Sequence, residues 1–252
     1  MSTLEAIILA IVQGIAEFFP LSSSGHLMLG EQFFGLGSGS LLFSLVLNLG
    51  TMLAIVVVLW PQIKALDKKR LMQIIVALIP LFPIVFFLKP IKAVMGNVQF
   101  LGLWFVVTAC VLFVGEKVGG RRTKAAGAWW EPLLIGIFQA FAVLPGLSRL
   151  GLTVSTARCL GWSRYESTLF SFLLAVPVAI GAIGVEVLSI VSEGQVDFSL
   201  PWQQYIIGFF IAFAVGTIAL KGCLRYVKKH TFLGFALYCL IVGIVTQVYV
   251  NL

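Results

Sequence analysis

The chain has 252 residues, of which 60% are hydrophobic and only 11% charged, against roughly a quarter charged in a soluble domain. A mean hydropathy of +1.06, with recurrent uncharged runs of spanning length, excludes an ordinary soluble fold and points to a bilayer. The net charge of +7 does not imply nucleic acid, because the basic residues crowd into short loops between apolar segments and read as topology signals.

In chain order, the first 40 residues hold no Lys or Arg. The basic start of a cleaved signal peptide is therefore missing, and the first segment is expected to be retained. It is apolar over roughly 3–35 but breaks at Pro20-Leu21-Ser22-Ser23-Ser24-Gly25. Three segments long enough to cross a bilayer follow, at roughly 41–60, 72–89 and 98–115. A second interrupted region covers roughly 130–160, with its break at Pro145-Gly146-Leu147-Ser148-Arg149, and three more spans follow at roughly 167–190, 203–221 and 231–250. Each arm of an interrupted region is too short to cross alone, which predicts two re-entrant helix–turn–helix hairpins. The expected fold class is thus an all-α integral membrane protein with six transmembrane helices and two re-entrant hairpins. Cys110, Cys159, Cys223 and Cys239 lack any CxxC spacing, so no disulfide or metal framework is expected.

The two interrupted regions resemble each other. Ile11, Gln13, Ala16, Leu21, Ser22 and Gly25 match Ile137, Gln139, Ala142, Leu147, Ser148 and Gly151 at a constant offset equal to half the chain. After a one-residue slip, Phe43-Ser44 matches Phe170-Ser171. The expected division is 1–126 and 127–252, two halves of one membrane domain. Each half holds a hairpin and three spans, and an odd number of spans inverts the second half relative to the first.

Charge supports one orientation. With 61–71 cytoplasmic, the inside loops carry Lys64, Lys68, Lys69 and Arg70; then Lys117, Arg121, Arg122 and Lys124; then Arg158 and Arg164; then Lys221, Arg225, Lys228 and Lys229. Only Lys89 and Lys92 lie outside, together with the acidic Glu193 and Asp197. Both termini then face out.

Ionisable groups at membrane depth are costly and mark function by default. The first hairpin offers Gln13, Glu17 and His26 around Ser22, Ser23 and Ser24; the second offers Ser148, Arg149 and Thr153. If the halves invert about a midplane axis, the tips meet, and Glu17 and His26 face Arg149. Both tips read as a helix ended by proline, a small polar turn, and a new helix begun at a serine cap. Two helix N-termini converging with an arginine make an anion site. Gln13 and Glu17, four apart, share a helix face and could hold a hard cation such as Mg²⁺ or Ca²⁺. His26 could act as general acid, base or nucleophile, and Ser23 as nucleophile or phosphate donor. The plainer alternatives are a structural Glu–Arg pair and serines that only satisfy turn backbone.

At these residues a family is recognisable. Gln13-Gly14-Ile15-Ala16-Glu17, followed by Phe18-Phe19-Pro20-Leu21-Ser22-Ser23-Ser24-Gly25-His26, resembles the first signature of the bacterial undecaprenyl-diphosphate phosphatase family, often called the bacitracin-resistance family. Pro145-Gly146-Leu147-Ser148-Arg149-Leu150-Gly151-Leu152-Thr153 is similar to the second. The resemblance covers essentially the whole chain. It departs at Leu150, where the family usually has Ser, at Asn48, where many members have His, and at Gln13, the less charged of two allowed residues.

The resemblance implies hydrolysis of undecaprenyl diphosphate to the monophosphate carrier for cell-wall synthesis, with a divalent cation, in the inner (plasma) membrane, at a site open to the outer face. Carried over, Glu17 with Gln13 would serve metal and diphosphate, while Ser23 and His26 would serve phosphoryl transfer. Ser148, Arg149 and Thr153, with Ser22 and Ser24, would grip phosphate. The partners expected are the lipid substrate and the bilayer, with room for a homodimer. The competing expectation is a transporter or flippase of an anionic polyprenyl phosphate lipid, since inverted repeats with broken helices are a transporter architecture. Phosphate release by purified protein separates the two.

Overall fold

The computed structural model describes residues 1–36, 41–84, 86–87, 98–119, 128–193 and 200–250. Lys89, Lys92, Arg121, Arg122, Lys124, Asp197 and the side chain of Glu193 lie outside the described residues, as does the end of the 72–89 segment. The described residues form α-helices and short 3₁₀ turns, with no strand among them.

The first half runs α1 (Thr3–Ala16), α2 (Ser23–Phe33), α3 (Leu41–Val58), α4 (Trp60–Lys64), α5 (Lys68–Leu78) and α6 (Leu101–Val118). The second runs α7 (Trp130–Ala140), α8 (Arg149–Cys159), α9 (Arg164–Glu193), α10 (Trp202–Tyr226) and α11 (Leu233–Val250). Among the described residues, four helical stretches are long and apolar enough to cross a membrane: Val98–Val118, Arg164–Val185, Trp202–Tyr226 and Leu233–Val250. The 41–60 segment forms α3, whereas the 72–89 segment breaks at Ile79-Pro80 after α5.

Proline explains where the broken regions break. Its ring crowds the carbonyl four residues back and it donates no N–H. Counting back from Pro20 reaches Ala16, the last residue of α1; counting back from Pro145 reaches Phe141, one residue beyond the end of α7. Both helices therefore stop earlier than the small polar turn alone suggests. Each restarts at a serine cap: Ser22 Oγ accepts from Gly25 N at 3.4 Å, and Ser148 Oγ from Gly151 N at 3.0 Å.

On α10 small residues face in and large apolar ones face out. Along α10, Gly208, Ala212, Gly216 and Cys223 are buried, while Phe210 and Ile218 are exposed. Small residues face neighbouring helices and large apolar ones face outward, as a lipid environment requires. The antiparallel helices α6 and α11 approach closely at two glycines. A Cβ added at Gly102 would lie 2.6 Å from the carbonyl oxygen of Gly243, and one added at Gly243 would lie 2.8 Å from that of Gly102.

Charges gather on one face of the bundle. Glu116 at the end of α6 is buried and pairs with Arg164 at the start of α9; Arg158 lies 3.9 Å away, and the Phe232 N–H donates to Glu116 at 3.2 Å. Arg70 pairs with Glu166 at 2.6 Å on the same face. Because α11 begins at this face, its C-terminal end lies at the opposite one, with Gln247 Nε2 donating to the Gln99 carbonyl at 3.1 Å. Met1 sits beside Gln204, at the start of α10, also on that opposite face.

Candidate active site

Each broken region folds as a hairpin whose two ends lie together. Phe34 and Leu36, beyond α2, pack in the same cluster as Met1 and Leu200, so the first hairpin returns to the face where it began. In the second, Trp162 after α8 donates its indole N–H to Glu131 Oε2 at the start of α7, at 3.0 Å. That hairpin begins and ends near the charged face.

The tips touch inside the bundle. The Gly146 N–H donates to Ser22 Oγ at 3.1 Å. Thr108 of α6 pins the second tip, donating to the Gly146 carbonyl at 2.8 Å and accepting from the Ser148 N–H at 3.1 Å. Ser22 has φ 67°, a left-handed conformation in a residue other than glycine, which costs about 1–3 kcal/mol unless its surroundings hold it. Its hydroxyl caps α2 and receives Gly146, and its carbonyl accepts from His26, so that conformation is held from both sides. Gly25 permits the contact: an added Cβ would lie 2.7 Å from Phe105 Cζ and 3.0 Å from Gly146 Cα. Gly25→Val should separate the tips and cost about 1–3 kcal/mol, read as a lower unfolding temperature in detergent together with loss of any site activity.

Across this junction the charged groups assemble. Arg149 Nη2 pairs with Glu17 Oε1, while Glu17 Oε2 accepts from Ser23 Oγ at 2.6 Å and from Gln13 Nε2 at 3.3 Å. Gln13 Nε2 also reaches Asn48 Oδ1 of α3 at 2.8 Å. Arg149 Nη1 is buried and finds no hydrogen-bond partner among the described residues, a costly state for a charged donor and one that a ligand oxygen would relieve. The N-terminal ends of α2 and α8 both open here, adding their positive dipole ends.

A cavity of about 170 Å³ adjoins the group. Gln13, Ser23, Ser24, Glu31, Ser44 and Asn48 supply its polar wall. Leu27 and Met28 supply its apolar wall. Glu31, Ser44 and the cavity role of Asn48 were missed in the sequence, although Ser24, Leu27, Met28 and Glu31 share one face of α2, and Ser44 and Asn48 are four apart on α3.

Other expected residues sit differently. His26 does not join the Glu17–Arg149 pair. Its Nδ1 lies 2.9 Å from the Ser22 carbonyl and its Nε2 lies 2.8 Å from the Tyr238 hydroxyl of α11. Three residues past Ser23, it is turned about 60° around the helix, toward α11 and Phe105 rather than toward Arg149. Ser22 and Ser148 are buried as caps. Thr153 is buried, donating to the Arg149 carbonyl at 2.9 Å and sharing a 2.6 Å hydrogen bond with Ser171. Ser24 is exposed on the cavity side.

The chain is similar in sequence to known proteins over nearly its whole length. The family model described as bacitracin resistance protein BacA matches residues 6–245. A protein of Protochlamydia amoebophila named undecaprenyl-diphosphatase is 38% identical over 255 residues, covering 99% of both chains. Proteins of the same name from Parabacteroides distasonis and Carboxydothermus hydrogenoformans are 34% and 33% identical; the alignments cover 98% and 97% of this chain and 97% and 96% of theirs. A match over residues 6–245, which includes both tips, means that this chain belongs to the bacitracin resistance protein BacA family.

Proposed function

We propose that the chain hydrolyses undecaprenyl diphosphate to undecaprenyl phosphate at the junction of the two hairpin tips. The observation that carries this reading is the Ser23–Glu17–Arg149 chain of contacts across two hairpins 132 residues apart in sequence, beside a polar cavity. The names of the relatives supply the substrate.

Hydrolysis of a phosphoanhydride asks for positioning and charge stabilisation. Arg149 offers its unpartnered Nη1 to the terminal phosphate, with the N-terminal ends of α2 and α8 beside it. Ser23 presents its oxygen with the hydroxyl proton directed at Glu17 Oε2. In the reading we favour, Ser23 Oγ attacks the terminal phosphorus as its proton passes to Glu17, and undecaprenyl phosphate leaves. Water then cleaves the serine phosphate, releasing inorganic phosphate and restoring the serine. His26 is a weaker candidate for nucleophile because both ring nitrogens are engaged away from this group. Ser22, Ser148 and Thr153 hold the tips in shape, and Ser24 lies where it can contact phosphate.

Gln13 and Asn48 bring amide oxygens to one wall of the cavity, and the Glu17 carboxylate lies behind them in contact with Gln13 and Ser23, a set of hard oxygens that suits Mg²⁺ or Ca²⁺. Glu17 and Gln13 would hold the ion together with substrate phosphates, and it would supply charge neutralisation.

In the membrane, we propose six spans and two re-entrant hairpins in inverted halves, 1–126 and 127–252. The exchanged packing supports this: α1 lies against α10, and α7 against α5, so each hairpin docks on the other half. The grouping of Arg70, Arg158 and Arg164 at one face supports a cytoplasmic assignment for it. Both termini then lie outside. The cavity follows α2 from the tip toward Glu31, and so toward the outer face of an inner membrane. The same exchanged packing also favours a second reading, lipid transport.

The deciding experiment is phosphate release from undecaprenyl diphosphate by the purified protein in detergent, with and without chelator. Detergent leaves transport undefined, so release that chelator abolishes is the expected result. Binding without release would favour transport.

A further inference from the structure

Tyr238 belongs to no signature in the sequence and lies 212 residues from His26, yet its hydroxyl meets His26 Nε2 at 2.8 Å. The rings are stacked, with centroids 5.7 Å apart and planes 10° from parallel, and Phe105 closes the other side edge-on. The remaining ring nitrogen, Nδ1, lies 2.9 Å from the Ser22 carbonyl. A carbonyl oxygen can only accept, so Nδ1 carries a proton. In the neutral ring Nε2 then holds the lone pair, and the Tyr238 hydroxyl must donate to it.

From this geometry we infer that Tyr238 is a positioning residue for His26. With the Ser22 carbonyl, it fixes the imidazole at two points and orients its one basic nitrogen. The contact ties the last span to the first hairpin tip. Cys239, the next residue, also lies against that tip, 3.6 Å from the Pro20 carbonyl, and Phe235 packs on Phe19. Ser22 joins the pieces: its carbonyl holds His26 while its hydroxyl receives Gly146 from the second tip. The imidazole is thereby set relative to both tips without touching Arg149. His26 in turn holds the Ser22 carbonyl, one residue before the proposed nucleophile Ser23, so an effect of Tyr238 on turnover is exerted through the placement of the first tip and rests on the hydrolysis proposed above, whereas the pairing itself does not.

The chain has only two histidines, so ¹⁵N-histidine spectra of the detergent-solubilised protein are simple, and His26→Gln assigns the signal. In the wild type, His26 should show a protonated Nδ1 and an unprotonated, hydrogen-bonded Nε2. In Tyr238→Phe, Nε2 should move toward the value of a free acceptor with Nδ1 unchanged. Phosphate release should fall roughly three- to tenfold in kcat, the value of one neutral hydrogen bond, with KM unchanged. Adding Tyr238→Phe to His26→Gln should cause no further loss.

A protonated Nε2 in the wild type, or an Nε2 signal indifferent to Tyr238→Phe, overturns the pairing without any activity measurement. A shifted signal with full kcat overturns the positioning role alone. Absence of phosphate release from the wild type overturns the hydrolysis reading, and the catalytic role with it, while the spectra still decide the pairing.

Discussion

Arg149→Ala should lower the kcat for phosphate release by roughly 10²–10³-fold, the effect of removing one preorganised donor from a developing anion. The guanidinium makes two kinds of contact. Nη2 holds Glu17 of the other hairpin, and Nη1 is buried with no partner among the described residues. Truncation removes the group aimed at phosphate and strands the Glu17 carboxylate, only 16% of whose side chain is exposed. Breaking a pair this enclosed costs about 3–5 kcal/mol, so the thermal midpoint should fall too. Arg149→Lys separates the two effects. An ammonium keeps the charge but cannot span Glu17 and a phosphate with a planar fork. Its midpoint should stay near that of the wild type while kcat remains well below it.

Glu17→Gln should cost roughly 10²–10⁴-fold in kcat, the usual range for losing a positioned acid–base group. The amide has the same size and can still accept from Ser23, so the site keeps its shape. It can no longer take the Ser23 proton or balance Arg149. Because Ser23 lies 2.6 Å from Glu17 Oε2, the loss should fall on kcat. A wild-type kcat in Glu17→Gln would remove the carboxylate from proton transfer.

The site was legible in the sequence where spacing is local and where the repeat copies it. Gln13 and Glu17 are four apart and do share a face, with the amide 3.3 Å from the carboxylate. The matching tips announced their meeting, which the Ser22–Gly146 hydrogen bond and the Arg149–Glu17 pair bear out. His26 was misread because a tip residue's direction depends on helix rotation and on distant partners. Nothing in the first 40 residues marks Tyr238 as the group waiting for Nε2. Thr108 was invisible for the same reason: a threonine inside an apolar span carries no local sign that it will pin a turn 38 residues away.

The fold divided along similar lines. Hydropathy located α3, α6, α9, α10 and α11, since each is a continuous apolar run. The 72–89 segment reads as continuous because Pro80 and Pro83 sit among apolar residues and leave its hydropathy high, yet the helix is interrupted by a turn at 79–80 before helix resumes at 81–84. Glu31 carries no local sign of a site in the sequence. Its place in the cavity wall depends on α3 packing across from α2, which only the assembled bundle reveals.

That one reactive centre is made jointly by two separate hairpins is most directly tested by phosphate release from four proteins: wild type, Glu17→Gln, Arg149→Gln and the double variant. If the carboxylate and the guanidinium act as one unit, the double variant should lose no more than the worse single variant, so the losses do not multiply. Losses that multiply, or a single variant with wild-type turnover, would contradict a shared centre.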